Sequence, residues 1–310
     1  MIQCAPTKGN RQQNPQPPHS PAVPATLPLA LALEPMGDPA RAASLARDLT
    51  LPLALLLEPA GDPARAVALA EALSVPLIDD PHQTDLLLVL GPEGLALRRP
   101  NDPELTGMLR VDFDRPAARR RQQSPHRELV VQAARLRRAG ESPLVVDATA
   151  GLGRDGFLLA AAGFRVVLCE RNPVVAALLR DGLARAALLP RTAAIAARIR
   201  LIAADFTDAL EQLPERPAVI YLDPMFPPRS KSAKVKQELQ LLQLLEGTGN
   251  GESDAARLLQ TALAAGPRKV VVKRPLKGPA LAGPAPSHVL RGKAVRFDVY
   301  TGMAIATEAV

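Results

Sequence analysis

Short apolar runs alternate with amphipathic segments through the second half of this 310-residue chain. The runs predict strands at residues 144–147, 165–170, 199–203, 218–222, 269–273 and 295–300. The segments between them have helical periodicity, at residues 156–162, 173–189, 207–213 and 255–265. Continuous apolar strands separated by helices are typical of a parallel sheet that is buried on both faces. The pattern therefore predicts an α/β domain over residues 143–310.

The first half of the chain is divided by composition. Residues 1–26 are rich in Pro and Gln, which predicts a disordered tail. Residues 27–50 align without gaps to residues 51–74, and each copy is typical of a strand, a turn and a helix, so one copy is expected to be structurally redundant. Residues 51–114 predict a small α/β N-terminal domain with strands at 86–90, 95–97 and 108–113. An Arg-rich connector follows at residues 115–142.

Charge and composition limit the kinds of binding partner and site that the chain is expected to have. A net charge of +7 and a pI near 9.8 favour a polyanionic partner, although a generally Arg-rich composition is the alternative. The two cysteines form no metal-binding or disulfide motif, and the four histidines are scattered, so no metal site is expected. No run is long and apolar enough to predict a membrane span, and no signal peptide is recognised. A cytoplasmic protein is expected.

A glycine-rich loop follows the strand that ends at Asp147. Its pattern, Gly151-x-Gly153-x-x-Gly156, lets the backbone approach a ligand closely and opens a helix whose N–H groups face that ligand. Glu170 ends the next strand and is placed to accept hydrogen bonds from ribose hydroxyls. These features fit both NAD and S-adenosylmethionine (SAM) sites, and a tight turn without ligand is the structural alternative. Asp205, after the third strand, is predicted to bond an adenine amino group, to cap the next helix, or both, with Phe206 packing on the adenine.

The fourth strand ends in the tetrad Asp223-Pro224-Met225-Phe226, which separates these alternatives. An exocyclic nucleobase nitrogen is a poor nucleophile because its lone pair is delocalised into the ring. A carboxylate and a carbonyl that accept its N–H bonds would direct the lone pair at a methyl donor. Proline stiffens the turn, and Phe226 is predicted to stack on the base. An Asp-Pro pair that merely ends a strand is the structural alternative. We predict Asp223, Pro224 and Phe226 as the catalytic set of a SAM-dependent methyltransferase.

Basic residues flank these motifs. They are predicted to contact RNA phosphates, with ordinary solvated surface as the alternative. The set comprises Arg120, Arg121, Lys231, Lys234, Lys236, Lys273 and Arg274.

Several segments together resemble a known family. These are Asp-Ala-Thr-Ala-Gly-Leu-Gly-Arg-Asp at 147–155, Glu-Arg-Asn-Pro at 170–173, Tyr-Leu-Asp-Pro-Met-Phe-Pro at 221–227 and Val-Val-Val-Lys-Arg-Pro at 270–275. They are similar to the RsmJ-type 16S rRNA guanine-N2 methyltransferases over roughly residues 51–305. The resemblance implies a class I, Rossmann-like fold with a mostly parallel seven-stranded sheet, and small-subunit rRNA as partner. It also implies SAM contacts at Arg154, Asp155, Glu170, Arg171, Asp205, Phe206 and Asp223, beside Asp147 and the loop glycines.

Two other functions are compatible with parts of the pattern. An NAD(P)-dependent oxidoreductase would share the glycine loop and Glu170 but has no need of the tetrad at Asp223. A ribosome-assembly factor without activity could keep the fold, although the intact Asp223 and glycines argue against it. Neither alternative explains the sequence as fully as methyl transfer.

Overall fold

The computed structural model describes residues 51–137, 142–224, 237–246 and 252–301. The tail and the first repeat copy therefore lie outside the described residues. A four-stranded sheet forms the N-terminal part, in the order β2-β1-β3-β4, with β3 and β4 antiparallel and the other pairs parallel. Its strands are β1 (Leu53–Leu57), β2 (Leu77–Ile78), β3 (Leu86–Gly91) and β4 (Gly94–Arg98).

Helix α1 (Pro63–Leu73) packs on this sheet and begins as its sequence predicts. Pro63 occupies a position where its missing N–H costs nothing, and the carboxylate of Asp62 accepts the N–H of Ala64 at 3.0 Å. The helix buries Ala66, Ala70 and Leu73, three and four residues apart, on one face.

The predicted strand at residues 108–113 is wrong. Only Leu109 pairs, in a single bridge with Leu97. Alternate apolar side chains of this segment are buried in the core, but the segment has no strand backbone. Phe113, for example, stacks on Phe157 with ring centroids 4.1 Å apart. The alternation of buried side chains is real here, but the backbone does not form a strand ladder.

A seven-stranded sheet forms the larger part and confirms the predicted α/β class. Its order is β10-β11-β9-β8-β5-β6-β7, and only the pairs made by β11 are antiparallel. The strands are β5 (Leu144–Asp147), β6 (Arg165–Cys169), β7 (Ile199–Ile202), β8 (Val219–Leu222), β9 (Lys269–Pro275), β10 (His288–Arg291) and β11 (Val295–Thr301). The apolar pattern does not predict β10, because its residues are exposed or half-buried at the sheet edge and lack a continuous apolar run.

Helices cover the sheet and join its strands. They are α2 (Pro116–Gln122), α3 (Leu129–Ala134), α4 (Arg154–Ala161), α5 (Pro173–Leu188), α6 (Ala193–Ala196), α7 (Phe206–Ala209), α8 (Gln237–Glu246) and α9 (Glu252–Ala264). The single helix expected at residues 207–213 is instead α7 followed by a 3₁₀ turn. Within the described ranges, no helix is long and apolar enough to cross a membrane.

The two sheets share one hydrophobic cluster, so the predicted domain division is bridged by packing. A polar junction accompanies it. The Asp181 side chain on α5 is fully buried and accepts bonds from Arg65 of α1 at 2.6 Å and from Arg185 at 2.8 Å. Arg185 also donates to the carbonyl of Val111. The division at residue 114 remains a prediction.

The connector is held against the large sheet by a buried lysine. Lys269, at the start of β9, donates to the carbonyl of Ala133 at 2.8 Å and to that of Arg135. Burial lowers the pKa of this ammonium group. The two carbonyls belong to the end of α3, where helix carbonyls lack intrahelical partners. The lysine thereby fixes the connector beside β9.

Candidate active site at the carboxyl edge of the sheet

Five chemically active side chains lie at one edge of the large sheet. The parallel strands β5, β6, β7, β8 and β9 all run toward this edge, where open α/β sheets bind ligands. Each strand contributes one side chain close to its carboxyl end: Asp147, Glu170, Asp205, Asp223 and, two residues before the end of β9, Lys273.

The glycine loop after β5 is built for close backbone approach. Gly151 and Gly153 have φ values of +52° and +69°, which L side chains rarely adopt. A methyl group at Gly153 would come within 2.6 Å of Leu179 Cδ1, so this glycine allows α4 to pack closely. At Gly151 the same methyl would meet no atom within 4 Å. The loop therefore has open space over Gly151, as a ligand cradle requires.

Glu170 is oriented by the backbone around it. One carboxylate oxygen accepts the N–H of Gly151 at 2.8 Å, and the other accepts the N–H of Asn172 at 2.8 Å. Burial raises the pKa of Glu170, and these two N–H groups oppose that rise. Asn172 in turn caps α5 and donates to the carbonyl of Leu245 on α8 at 2.8 Å. The carboxylate is thus held still at the end of β6 beside the glycine loop.

Replacing Glu170 with alanine should weaken SAM binding by about 1–3 kcal/mol, the scale of lost hydrogen bonds to a charged group. Isothermal titration of SAM measures this directly. Glu215→Ala is the matched control, because Glu215 is a glutamate outside the site that pairs with Arg165 at the start of β6. Equal SAM affinity of the Glu170 variant and the control would rule out a ribose-binding role.

A lysine bridges two carboxylates at the centre of the edge. Lys273 Nζ lies 2.7 Å from Asp223 Oδ2 and 2.8 Å from Asp155 Oδ2. The Tyr221 hydroxyl donates to the same Asp155 oxygen at 2.8 Å. The N–H of Asp223 donates to Thr149 Oγ1 at 2.6 Å, which ties the end of β8 to the glycine loop. The Lys273 ammonium group is therefore the cation that holds the ends of β8 and β9 and the start of α4 together.

The pKa values of this cluster diverge. Burial raises the pKa of Asp223, and Asp155 adds to the rise while Lys273 opposes it. Burial also acts on Asp155, but Lys273, the Tyr221 hydroxyl and Arg121 outweigh it and lower the pKa of this carboxyl. Burial and the nearby carboxylates raise the pKa of Asp147 well above its usual range. Of the two carboxyls that bond Lys273, Asp155 is therefore the more firmly ionised, and Asp223 protonates more readily.

The third strand end carries Asp205 and Phe206. Asp205 caps α7 by accepting the N–H of Thr207 at 3.1 Å, and Arg171 lies 4.0 Å from its other oxygen. Phe206 is only 2 % exposed and packs in a hydrophobic cluster on the sheet face. The ring is enclosed by protein, and its packing on an adenine stays a prediction. Asp205 is the polar side chain that the structure places at this strand end.

The structure separates the residues predicted to contact RNA into those bonded inside the protein and those near its surface. The Lys273 ammonium group bonds the two carboxylates of Asp155 and Asp223. Arg274 is 1 % exposed and donates to the carbonyl of Pro279 at 2.6 Å, so neither residue is placed to bind an external phosphate. Both predictions are corrected, since partners within the protein occupy these cations. Arg120 is exposed on α2, and Arg121 bonds Glu128 at 2.8 Å and approaches Asp155 at 3.5 Å.

Several expected residues are placed elsewhere or not described. Arg154, expected at the cofactor, pairs with Glu238 at the start of α8, and Arg115 bonds the same carboxylate at 3.0 Å. Pro224 is buried at the end of the described segment. The predicted positions that lie outside the described residues are Met225, Phe226, Lys231, Lys234 and Lys236.

Sequence reasoning missed Tyr221, Thr149 and Glu238. In the sequence Tyr221 is an ordinary apolar position of a strand. Only its place two positions before Asp223 indicates that its hydroxyl could lie near the site, where it bonds Asp155. Thr149 lies two positions after Asp147, where a loop side chain can reach the neighbouring strand end.

The donor set fits SAM. Gly151 leaves space over the loop, Glu170 offers fixed carboxylate oxygens, and Asp205 presents an acceptor one strand further. Across the described ranges, no cluster of His, Cys, Asp and Glu has the arrangement of a metal site.

Comparisons with known proteins agree with this geometry. Residues 69–302 match the model of a family described as "Putative SAM-dependent methyltransferase". The chain is 46 % identical over 221 residues to the ribosomal RNA small subunit methyltransferase J of Ectopseudomonas mendocina, covering 70 % of this chain and 83 % of that one. It is 47 % identical over 222 residues to the protein of the same name from Thioalkalivibrio sulfidiphilus, covering 70 % and 85 %. A crystal structure of a SAM-dependent methyltransferase from Neisseria gonorrhoeae is similar with a TM-score of 0.62 and 32 % identity, covering 81 % of this chain and 96 % of that one.

Proposed function

Because the chain belongs to the family of ribosomal RNA small subunit methyltransferase J, we propose that it methylates the exocyclic N2 of a guanine in 16S rRNA. The cofactor is SAM, and the site of action is the cytoplasm, where small subunits are made. Membership of this family removes the NAD(P)-dependent oxidoreductase as an alternative.

One observation supports the proposal above the others: the target-binding acid is bonded to the cofactor loop. The N–H of Asp223 donates to Thr149 Oγ1 at 2.6 Å, and Thr149 lies two residues before Gly151. The acid that would hold the amine is thereby fixed relative to the loop that would hold the methyl donor. Such positioning is the main means of catalysis when two reactants must meet in line.

Asp223 would act on the amine in two ways. Its carboxylate accepts an N–H of guanine N2, which weakens conjugation with the ring and turns the lone pair outward. Bound SAM supplies the electrophilic methyl group. The nitrogen must then lose a proton, and the Asp223 carboxylate would accept it, with a pKa that is raised by burial and by Asp155.

Lys273, Asp155 and Tyr221 would keep Asp223 ready for this role. The ammonium group holds the Asp223 carboxylate in place through one oxygen at 2.7 Å. Asp155 fixes the ammonium from the other side, and the Tyr221 hydroxyl fixes Asp155. The target guanine must leave its stack or lie in a single-stranded region to reach this edge.

Methylation of small-subunit RNA in vitro tests the proposal. Unmodified 16S rRNA and unmodified small subunits are incubated with the protein and isotopically labelled SAM, and the modified nucleotide is mapped by mass spectrometry. We expect N2-methylguanosine at one position. A methyl group on another atom or base would overturn the assignment of the target nitrogen, while absence of transfer to either substrate would overturn the proposed substrate.

Binding to this RNA should weaken steeply as salt is added, because bound Lys and Arg release counterions from phosphates. Replacing Lys231, Lys234 and Lys236 together with glutamine should flatten the slope of log affinity against log salt by about 2, since each phosphate neutralised on a single strand adds roughly 0.7 to that slope. Filter binding over a salt series measures the slope. An unchanged slope would place the phosphate-binding residues elsewhere on the protein.

A further inference from the structure

The segment that runs from the end of β9 into the first residues of β11 is basic and has no acidic residue. From Leu276 to Phe297 the sequence contains Lys277, Arg291, Lys293 and Arg296, and no Asp or Glu. Arg296 is used internally, since it bonds Asp298 at 2.8 Å. Lys277, Arg291 and Lys293 are exposed. The segment therefore presents cations to solvent without acidic residues of its own between them.

This segment lies at the same edge of the sheet as Asp223. Val295 pairs with Pro275, which lies two residues beyond Lys273 on β9. The N–H of Leu276 donates to the carbonyl of Ala294 at 3.0 Å, so Lys277 is carried next to the β10–β11 turn. The turn lies about two strand spacings, or about 10 Å, to the side of β8 and three residues, or about 10 Å, beyond its end. These side chains therefore lie beside the edge at which a base bound to Asp223 would sit.

The connector adds a fourth cation to the same place. Gly292 in the turn approaches Leu129 so closely that an added methyl would lie 2.6 Å from Leu129 Cδ1. Arg127 lies two residues before Leu129 and is exposed. Because Lys269 anchors the end of α3 to β9, the connector and the turn are held together. The basic edge is thus assembled from two separate parts of the chain.

We propose that Arg127, Lys277, Arg291 and Lys293 form a basic rim that binds the RNA backbone beside the target guanine. The inference rests on the proposed function and specifies its RNA-binding surface. Phosphate contacts of this kind fix the register of a nucleic acid without reading its sequence. The rim replaces Lys273 and Arg274 in that role, because those two cations are engaged inside the protein.

A charge-removal series tests the rim. In one variant Lys277, Arg291 and Lys293 become glutamine. In a matched control Arg198, Arg216 and Arg268 become glutamine; these are also exposed but precede β7, β8 and β9 at the opposite edge of the sheet. A third variant exchanges Lys and Arg at the same three of the four rim positions and keeps their charge. Each protein is measured for thermal midpoint, SAM affinity, KM for unmodified 16S rRNA and salt slope.

The rim variant should raise KM for the RNA about tenfold or more and flatten the salt slope by about 2. Its SAM affinity and thermal midpoint should stay at the wild-type values. The control and the charge-preserving variant should behave as wild type. If the rim variant and the control have the same KM and the same salt slope, the rim does not bind the RNA. This result would overturn the rim proposal even if the wild-type protein methylates the RNA. A wild-type protein that fails to methylate the RNA would instead overturn the proposed function on which the rim rests.

Discussion

Replacing Asp223 with asparagine should lower kcat for RNA methylation by about 10²–10⁴-fold, the range of a positioned acid or base. Asparagine keeps the size of the side chain and an oxygen that can accept a hydrogen bond from the Lys273 ammonium group. It removes the charge and the capacity to take a proton, and its NH₂ group would face the N–H of the target amine. The fold should survive, because the N–H of residue 223 still bonds Thr149. Quench-flow measurement of single turnovers at saturating SAM separates this loss from a change in binding.

Glu211→Gln is the control for this substitution. Glu211 is exposed on the 3₁₀ turn after α7. Its replacement by glutamine also changes a carboxylate to an amide, but at a position away from the site. Its turnover should match wild type. A near-wild-type rate for the Asp223 variant would remove this residue from the catalytic role.

Replacing Lys273 with methionine should lower kcat roughly 10–100-fold, which corresponds to losing about 1.5–3 kcal/mol of charge-assisted bonding. Asp155 and Asp223 would then face one another without the cation between them, so the Asp223 carboxylate would lose its fixed orientation. The rate against pH should change as well. Activity needs the ionised form of Asp223, so it falls as pH drops through the pKa of this carboxyl, and that pKa is already raised by burial.

The acid limb of the pH profile should move in opposite directions in two variants. Without Lys273 the pKa of Asp223 rises further, so activity is lost at higher pH than in wild type. In Asp155→Asn a neighbouring negative charge is removed, so the pKa of Asp223 falls and the limb moves to lower pH. The pKa of Lys273 itself is raised by its two carboxylates, so the lysine stays charged throughout and its own titration does not confuse the result. Shifts in the same direction would contradict the bridging role.

The sequence predicts the parts of the site that depend on chain order. A strand followed by glycines, an acid at the end of the next strand and the tetrad at Asp223 each follow from local periodicity, and parallel strands bring their ends to one edge. Partners across the sheet are not predictable in the same way. The bond from Tyr221 to Asp155 joins residues 66 positions apart and depends on the order β8-β5-β6, which local periodicity does not encode.

Lys273 and Arg274 show why charge alone misleads. Both follow an apolar run and both have the sequence pattern of surface cations. Residues alternate across a strand, so neighbours on β9 point to opposite faces. Lys273 meets Asp155 and Asp223, while Arg274 meets the carbonyl of Pro279. Which acid or carbonyl lies on each face is a property of tertiary packing.

The buried Asp181 has a consequence for how such proteins diversify. Its partners come from both sides of the junction, Arg65 from the small sheet and Arg185 from its own helix. An N-terminal part taken from a relative without an arginine at the matching position would leave a buried carboxylate with half its compensation, which is costly. A chimera of two relatives should therefore keep Arg65 and Asp181 together. The constraint on such an exchange lies at a polar contact outside the candidate active site.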